Sequence, residues 1–128
     1  KPEEQEAYIE LQVSPNNQRL QLRYANTAML DRARKTGCLA EAIIPGDAFA
    51  SRTWIEDKKS RWHVLAEIPG PLVCGASESL SGSRWRFSFS RYDYTCGEAE
   101  PVISSSSPHA EANFHRQHEW RTLQFNER

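Results

Sequence analysis

The stretch Arg84-Trp85-Arg86-Phe87-Ser88-Phe89-Ser90-Arg91 decides the fold class. Trp85, Phe87 and Phe89 alternate with Arg86, Ser88 and Ser90. A period of two sends the rings to one side of an extended chain and the polar groups to the other, which marks a half-buried strand. One strand over residues 84–91 is expected, with Trp85, Phe87 and Phe89 facing a core.

The same period recurs on both sides of it. Ile9, Leu11 and Val13 alternate with Glu10, Gln12 and Ser14, and Pro15-Asn16-Asn17 then supplies turn chemistry. Leu20, Leu22 and Tyr24 resume the alternation, so the two runs form a hairpin. Residues 39–44 and 49–55 are further strand candidates, the first closed by Pro45-Gly46. Over 61–68, Trp62, Val64, Ala66 and Ile68 share one side, and Pro69-Gly70-Pro71 ends the run. Residues 120–125 suit a terminal strand, in which Arg121, Leu123 and Phe125 alternate with Thr122 and Gln124. Trp62 and Trp120 are expected in the core. Residues 92–113, rich in Ser, Pro, Gly and acidic groups, are expected to be a long loop that includes the serine run 104–107.

One helix fits, over 26–36. Asn26 is placed to cap it, Met29, Leu30 and Ala33 share a face, and Gly37 is placed to end it. Six or seven short strands with turns between them favour a sandwich or a barrel.

The 128 residues suit a single domain over 1–128. The net charge is −1, which points away from nucleic acid and from an anionic membrane surface. Arg32, Arg34 and Lys35 sit beside Asp31 and Glu41 and are a solvated face. No apolar stretch approaches the length of a membrane span. The opening Lys1-Pro2-Glu3-Glu4-Gln5-Glu6 is acidic and lacks the apolar region of a signal peptide. Cys38, Cys74 and Cys96 form no CxxC pair. One disulfide with one free thiol, or three buried thiols, both fit the count.

Three segments in order resemble the family-nine carbohydrate-binding modules in their broader, DOMON-related form. Tyr8-Ile9-Glu10-Leu11-Gln12-Val13-Ser14-Pro15-Asn16-Asn17 is similar to that family's first strand and turn. Trp62-His63-Val64-Leu65-Ala66-Glu67-Ile68-Pro69 is similar to the strand that precedes its short turn. Trp85-Arg86-Phe87-Ser88-Phe89-Ser90-Arg91 resembles a third strand, and after a loop Phe114-His115-Arg116-Gln117-His118-Glu119-Trp120-Arg121-Thr122-Leu123-Gln124-Phe125 resembles the family's ending. The likeness covers residues 7–126. Ser106 stands where the family often has Trp, Ser88 stands where it has Asn, and the family's opening strands have no counterpart here.

The resemblance implies an all-β antiparallel sandwich, immunoglobulin- or DOMON-like, with at most one short helix. It also implies an extracellular or periplasmic location and a saccharide as ligand. Sugar recognition needs a flat apolar face for the C–H side of the ring and planar polar groups for its hydroxyls. Trp54, between Arg52 and Glu56, is either such a platform or a core or rim tryptophan. Arg91 is either a bidentate donor to hydroxyls or half of a structural ion pair. Tyr92 and Tyr94 complete the candidate ligand-binding set.

No catalytic role is expected. G-x-S-x-G, H-E-x-x-H, phosphate-loop and dinucleotide motifs are absent from the sequence. Glu98 and Glu100 fall in the expected loop, where spacing alone does not make a glycosidase pair. His115 and His118 stand three apart, but no third ligand has a fixed spacing from them. Calcium binding is known in the family at acidic loops, although no D-x-D-x-D-G loop occurs here. The expected role is therefore a non-catalytic saccharide-binding module without a cofactor. One alternative is a structural or accessory subunit of a larger assembly that keeps the fold without the sugar site. Another is a haem-binding DOMON domain, for which Met29 is the single methionine available.

Overall fold

The computed structural model describes residues 1–75 and 79–127. Its strands are β1 (Tyr8–Val13), β2 (Arg19–Tyr24), β3 (Ala50–Glu56), β4 (Arg61–Glu67), β5 (Arg84–Phe87), β6 (Ser90–Asp93), β7 (Val102–Ser105) and β8 (Arg121–Gln124). They form four two-stranded antiparallel ribbons, β1–β2, β3–β4, β5–β8 and β6–β7. Helix α1 (Thr27–Thr36) follows β2, and a one-turn helix α2 (Gly70–Cys74) follows β4. The protein is thus mostly β, with few helices. The second helix goes beyond the single one expected; Pro71 in its first turn suits a helix start, where a missing N–H is no loss.

The chain divides into two compact units, one of Lys1 with residues 3–80 and one of Pro2 with residues 81–128. In the first, Tyr8 pairs with Tyr24 across the β1–β2 hairpin, and their rings stack at 5.1 Å. Burial pushes both hydroxyls up from the usual tyrosine range. Leu22, Tyr24, Leu30, Ala33, Ala42 and Phe49 are buried and make the core of this unit. Helix α1 begins where the Asn26 side chain accepts the Met29 N–H at 2.9 Å. It ends where Gly37 turns left-handed at φ 68° and donates to Ala33 O.

Residues 39–44 are not a strand, as expected, but a tight turn that docks on the edge of β2. Ala42 and Ile43 N–H both return to Leu39 O, which curls the chain. Arg23 N–H then donates to Ala42 O and Ile44 N–H to Gln21 O. The Gln21 side chain is buried but satisfied: its amide donates to Ile44 O and Gly46 O, and its oxygen accepts from Ala48 N–H. Arg19 donates to Phe49 O, pairs with Asp47 at 2.9 Å and lies over the Phe49 ring. These bonds tie residues 44–49 down as the cover over β2.

The β3–β4 ribbon is regular, with Trp54 opposite His63 and Ile55 opposite Trp62. Its expected inward face is not buried. Trp62 is half-buried, while Val64, Ala66 and Ile68 are exposed. Alternation gave the ribbon a side, but among the described residues no element closes over it.

In the second unit the expected strand over 84–91 is broken in two. β5 pairs with β8, placing Trp85 opposite Leu123, and β6 pairs with β7, placing Tyr92 opposite Ile103. The break falls at Ser88 and Phe89, where Ser106 takes both backbone groups of Phe89: the Phe89 N–H donates to the Ser106 hydroxyl oxygen and its carbonyl accepts Ser106 N–H. The backbone is thereby handed from one partner strand to another. Trp85 is buried and Phe87 half-buried, but Phe89 is 74 % exposed and meets only the edge of the Phe87 ring at 5.4 Å. Phe89 is therefore not a core residue.

The loop expected over 92–113 contains β7. Its serines are structural, since Ser105 Oγ meets Ser88 Oγ at 2.9 Å and Ser107 Oγ donates to Phe87 O and accepts from Arg121 N–H. Polar composition hid a strand whose hydroxyls replace an apolar contact. Trp120 is half-buried rather than in the core. No helix among the described residues is long and apolar enough to cross a membrane.

Candidate functional site

Each candidate side chain occupies a definite place in a ribbon. On β3, Trp54 is 49 % exposed. Its indole stacks on the His63 ring at 4.9 Å and an interplanar angle of 5°. His63 Nε2 lies 3.4 Å from Glu56 Oε2, and Lys59 Nζ reaches Glu56 Oε1 at 2.7 Å. The Lys59 hydrogen bond, opposed by burial and aided by His63, holds the Glu56 carboxyl below the usual range. The result is a flat pair of rings edged by a carboxylate and an ammonium group. Asn17 steadies the ribbon by donating to Ser51 O, and Thr53 Oγ donates to Pro15 O.

Arg91, Tyr92 and Tyr94 lie together on and just beyond β6. Tyr92 is 55 % and Tyr94 73 % exposed. Their rings lie 6.5 Å apart with an interplanar angle of 18°, because residues two apart on an extended chain share a face. Strand alternation puts Arg91 and Asp93 on the opposite side, where they pair at 2.6 Å. The Tyr92 ring meets the Phe114 ring edge-on at 5.1 Å. Trp54 belongs to the first unit and the β6 residues to the second.

Behind Phe114 lies a group that spacing did not reveal. His109 packs against the Phe114 ring at 5.7 Å, and its side chain is only 5 % exposed. Its Nδ1 lies 3.1 Å from Glu119 Oε2. Glu119 Oε2 also accepts Ala110 N–H, and Glu119 Oε1 accepts Arg116 Nε at 2.8 Å. Burial works against the Glu119 charge, but the bonds from Arg116, His109 and Ala110 outweigh it and hold the carboxyl low. His109 Nε2 is buried and has no hydrogen-bond partner. Arg116 and Glu119 are i, i+3 on a local turn, a legible signal. His109 has no periodic relation to either, so only the tertiary fold brings it in. Trp120 Nε1 donates to the main-chain carbonyl of Phe114 at 2.7 Å and anchors the backbone there.

The remaining candidates stay apart. His118 is exposed and lies 3.6 Å from Glu119 Oε1, while His115 is half-buried. No group of three or more His, Cys, Asp or Glu side chains among the described residues is arranged to hold a metal ion. Met29 Sδ accepts Ala25 N–H, beside the helix cap. Cys38 and Cys96 are exposed thiols and Cys74 is a buried one that donates to Gly70 O, so the three neither pair in a disulfide nor all lie buried. A cleft of about 580 Å³ is lined by Arg19, Asp47, Phe49, Glu67 and Ile68 among others. Arg19 is already committed to Asp47 and Phe49 there.

Fold and surfaces together define a small β-rich chain that presents aromatic side chains on exposed ribbons. No family model matches it, and no curated protein or solved structure matches it either.

Proposed function

We propose that this chain is a single, non-catalytic β-sandwich module, related to the family-nine carbohydrate-binding modules, and that it binds a saccharide outside the cell or in the periplasm. The observation that carries the reading is the Tyr92–Tyr94 pair, two exposed and nearly parallel rings on one face of β6. Such a face suits the C–H sides of successive sugar rings, since burying it against them removes apolar surface from water without stranding a polar group. Phe114, held by Trp120 and by the His109–Glu119–Arg116 group, keeps Tyr92 in place, so little side-chain entropy is lost on binding. Trp54 on its His63 support is a second stacking surface. The ordered resemblance of residues 7–126 is the further support.

Titration calorimetry with glucose, cellobiose and xylan fragments tests this. Binding in the millimolar range or tighter is expected, with Tyr94→Ala weakening it roughly tenfold, as loss of one stacked ring warrants. Absence of heat at millimolar ligand overturns the reading. A second reading, an accessory subunit that keeps the fold without a sugar site, is favoured by the exposed apolar side chains Ile55, Val64 and Leu65 of the β3–β4 ribbon. It predicts a stable protein partner and no saccharide binding.

A further inference from the structure

We propose that β4 is a self-pairing edge, which joins two copies of this chain into one continuous four-stranded sheet. β4 bonds to β3 alone among the described residues. Ser51 O is taken by Asn17, so Ser51 turns its backbone groups away from β4. By the alternation of an antiparallel ladder, Thr53 and Ile55 do the same, and their opposites Val64 and Ala66 turn theirs away from β3. The N–H and C=O of Val64 and Ala66 thus face the open side, and among the described residues no backbone bond outside the ladder uses them. An edge of this kind is a template for another strand.

The sequence of β4 selects the partner as a second copy. Its seven residues read Arg-Trp-His-Val-Leu-Ala-Glu, basic at one end and acidic at the other. Laid antiparallel on itself with Val64 on the two-fold axis, β4 sets Arg61 against the Glu67 of the other copy at both ends. His63 then lies opposite Leu65 and Trp62 opposite Ala66. Arg61 and Glu67 form no ion pair among the described residues, so both charges are available. This register makes Val64 opposite Val64 a hydrogen-bonded pair and Arg61 opposite Glu67 a non-hydrogen-bonded one, where side chains approach more closely. The exposed Ile55 and Val64 of both copies join into one apolar strip on the face that also carries Trp62 and Ala66. A two-fold contact of this sort closes on itself and does not grow into a fibre. The interface is small, so a reversible dimer of micromolar or weaker affinity is expected.

Sedimentation equilibrium from low micromolar to near-millimolar chain tests it, with circular dichroism as the control for folding. A monomer–dimer equilibrium is expected. Val64→Pro removes an outward N–H that β3 does not use, so the ribbon keeps its ladder while dimerisation is lost. Arg61→Glu and Glu67→Arg should each weaken the dimer about tenfold, because like charges then oppose each other at both symmetric ends. The double exchange Arg61→Glu with Glu67→Arg should restore it. A monomer at every concentration overturns the proposal, as does association only with a different protein or a dimer that survives Val64→Pro. If Val64→Pro unfolds the chain, the exchange decides: failure of the double variant to recover overturns it.

Discussion

The β1–β2 and β3–β4 ribbons share an architecture and differ in fate. Both are antiparallel hairpins in the same compact unit, and both alternate apolar with polar residues. In the first, the inward side of β2 is roofed by α1 and by residues 39–49, and Leu22 and Tyr24 are almost wholly buried. In the second, Ile55 and Val64, on the side that also carries Trp62, remain in contact with solvent. Alternation therefore specifies that a strand has a face. Whether that face is buried depends on a separate element with the reach and the anchors to close over it. For β2 the anchors are Gln21 and Arg19, whose side chains fasten the covering segment. β3 and β4 carry Trp54 stacked on His63 and Glu56 paired with Lys59 instead, contacts that stay within the ribbon and its own turn.

The largest test of this contrast is a pair of truncations. Leu22→Ala should destabilise the protein by about 2–5 kcal/mol, the range for a buried leucine whose site cannot collapse. Ile55→Ala, equally apolar in sequence, should change stability by no more than about 0.5 kcal/mol. Urea unfolding of both variants reads the difference, and equal losses would mean that the second ribbon is covered too. A smaller effect comes from loosening the roof without touching the ribbon. Asn26→Ala deprives Met29 N–H of its acceptor and should cost about 1 kcal/mol, visible as a lower thermal midpoint. The smallest effect is electrostatic. The Glu56 carboxyl titrates lower in the folded chain than in the unfolded one, chiefly through Lys59. Its contribution is therefore fully present above the ordinary glutamate range and is lost as pH falls through the folded value. The stability gap between the wild type and Glu56→Gln should be measurable at neutral pH, shrink with added salt and close as the pH falls through the lowered value of the folded carboxyl. A gap that persists in acid would assign the effect to packing.

Much of the fold was legible where local rules suffice. Asn26 and Gly37 bracket α1 as their chemistry dictates, and the turn at Pro15-Asn16-Asn17 separates two strands that pair in register. What stayed hidden depended on partners distant in sequence. Residues 39–44 look like a strand, but the chain curls on Leu39 O before it meets β2. Phe89 sits at the correct period and still faces water, because the strand breaks at Ser88 and Phe89, where Ser106 bonds the Phe89 backbone. β7 escaped notice because half of it is serine, and its Ser105 bonds across to Ser88 rather than adding to an apolar stripe. The ligand candidates followed the same division. Tyr92 and Tyr94 come together because they are two apart, a spacing visible in the sequence, whereas His109 reaches Glu119 only through the tertiary path of the chain.

The break at Ser88 and Phe89 also imposes an order of assembly. β6 finds its partner close by, since Asp93 pairs with Val102 across a short excursion. β5 must wait for a strand much farther along, since Phe87 pairs with Arg121. Closing a longer loop costs more chain entropy before any contact repays it, so the nearer ribbon is positioned to form first. As the chain leaves the ribosome, the Trp85 strand then stays without its ladder until residues 121–124 have emerged, although the hairpin immediately beside it is already complete.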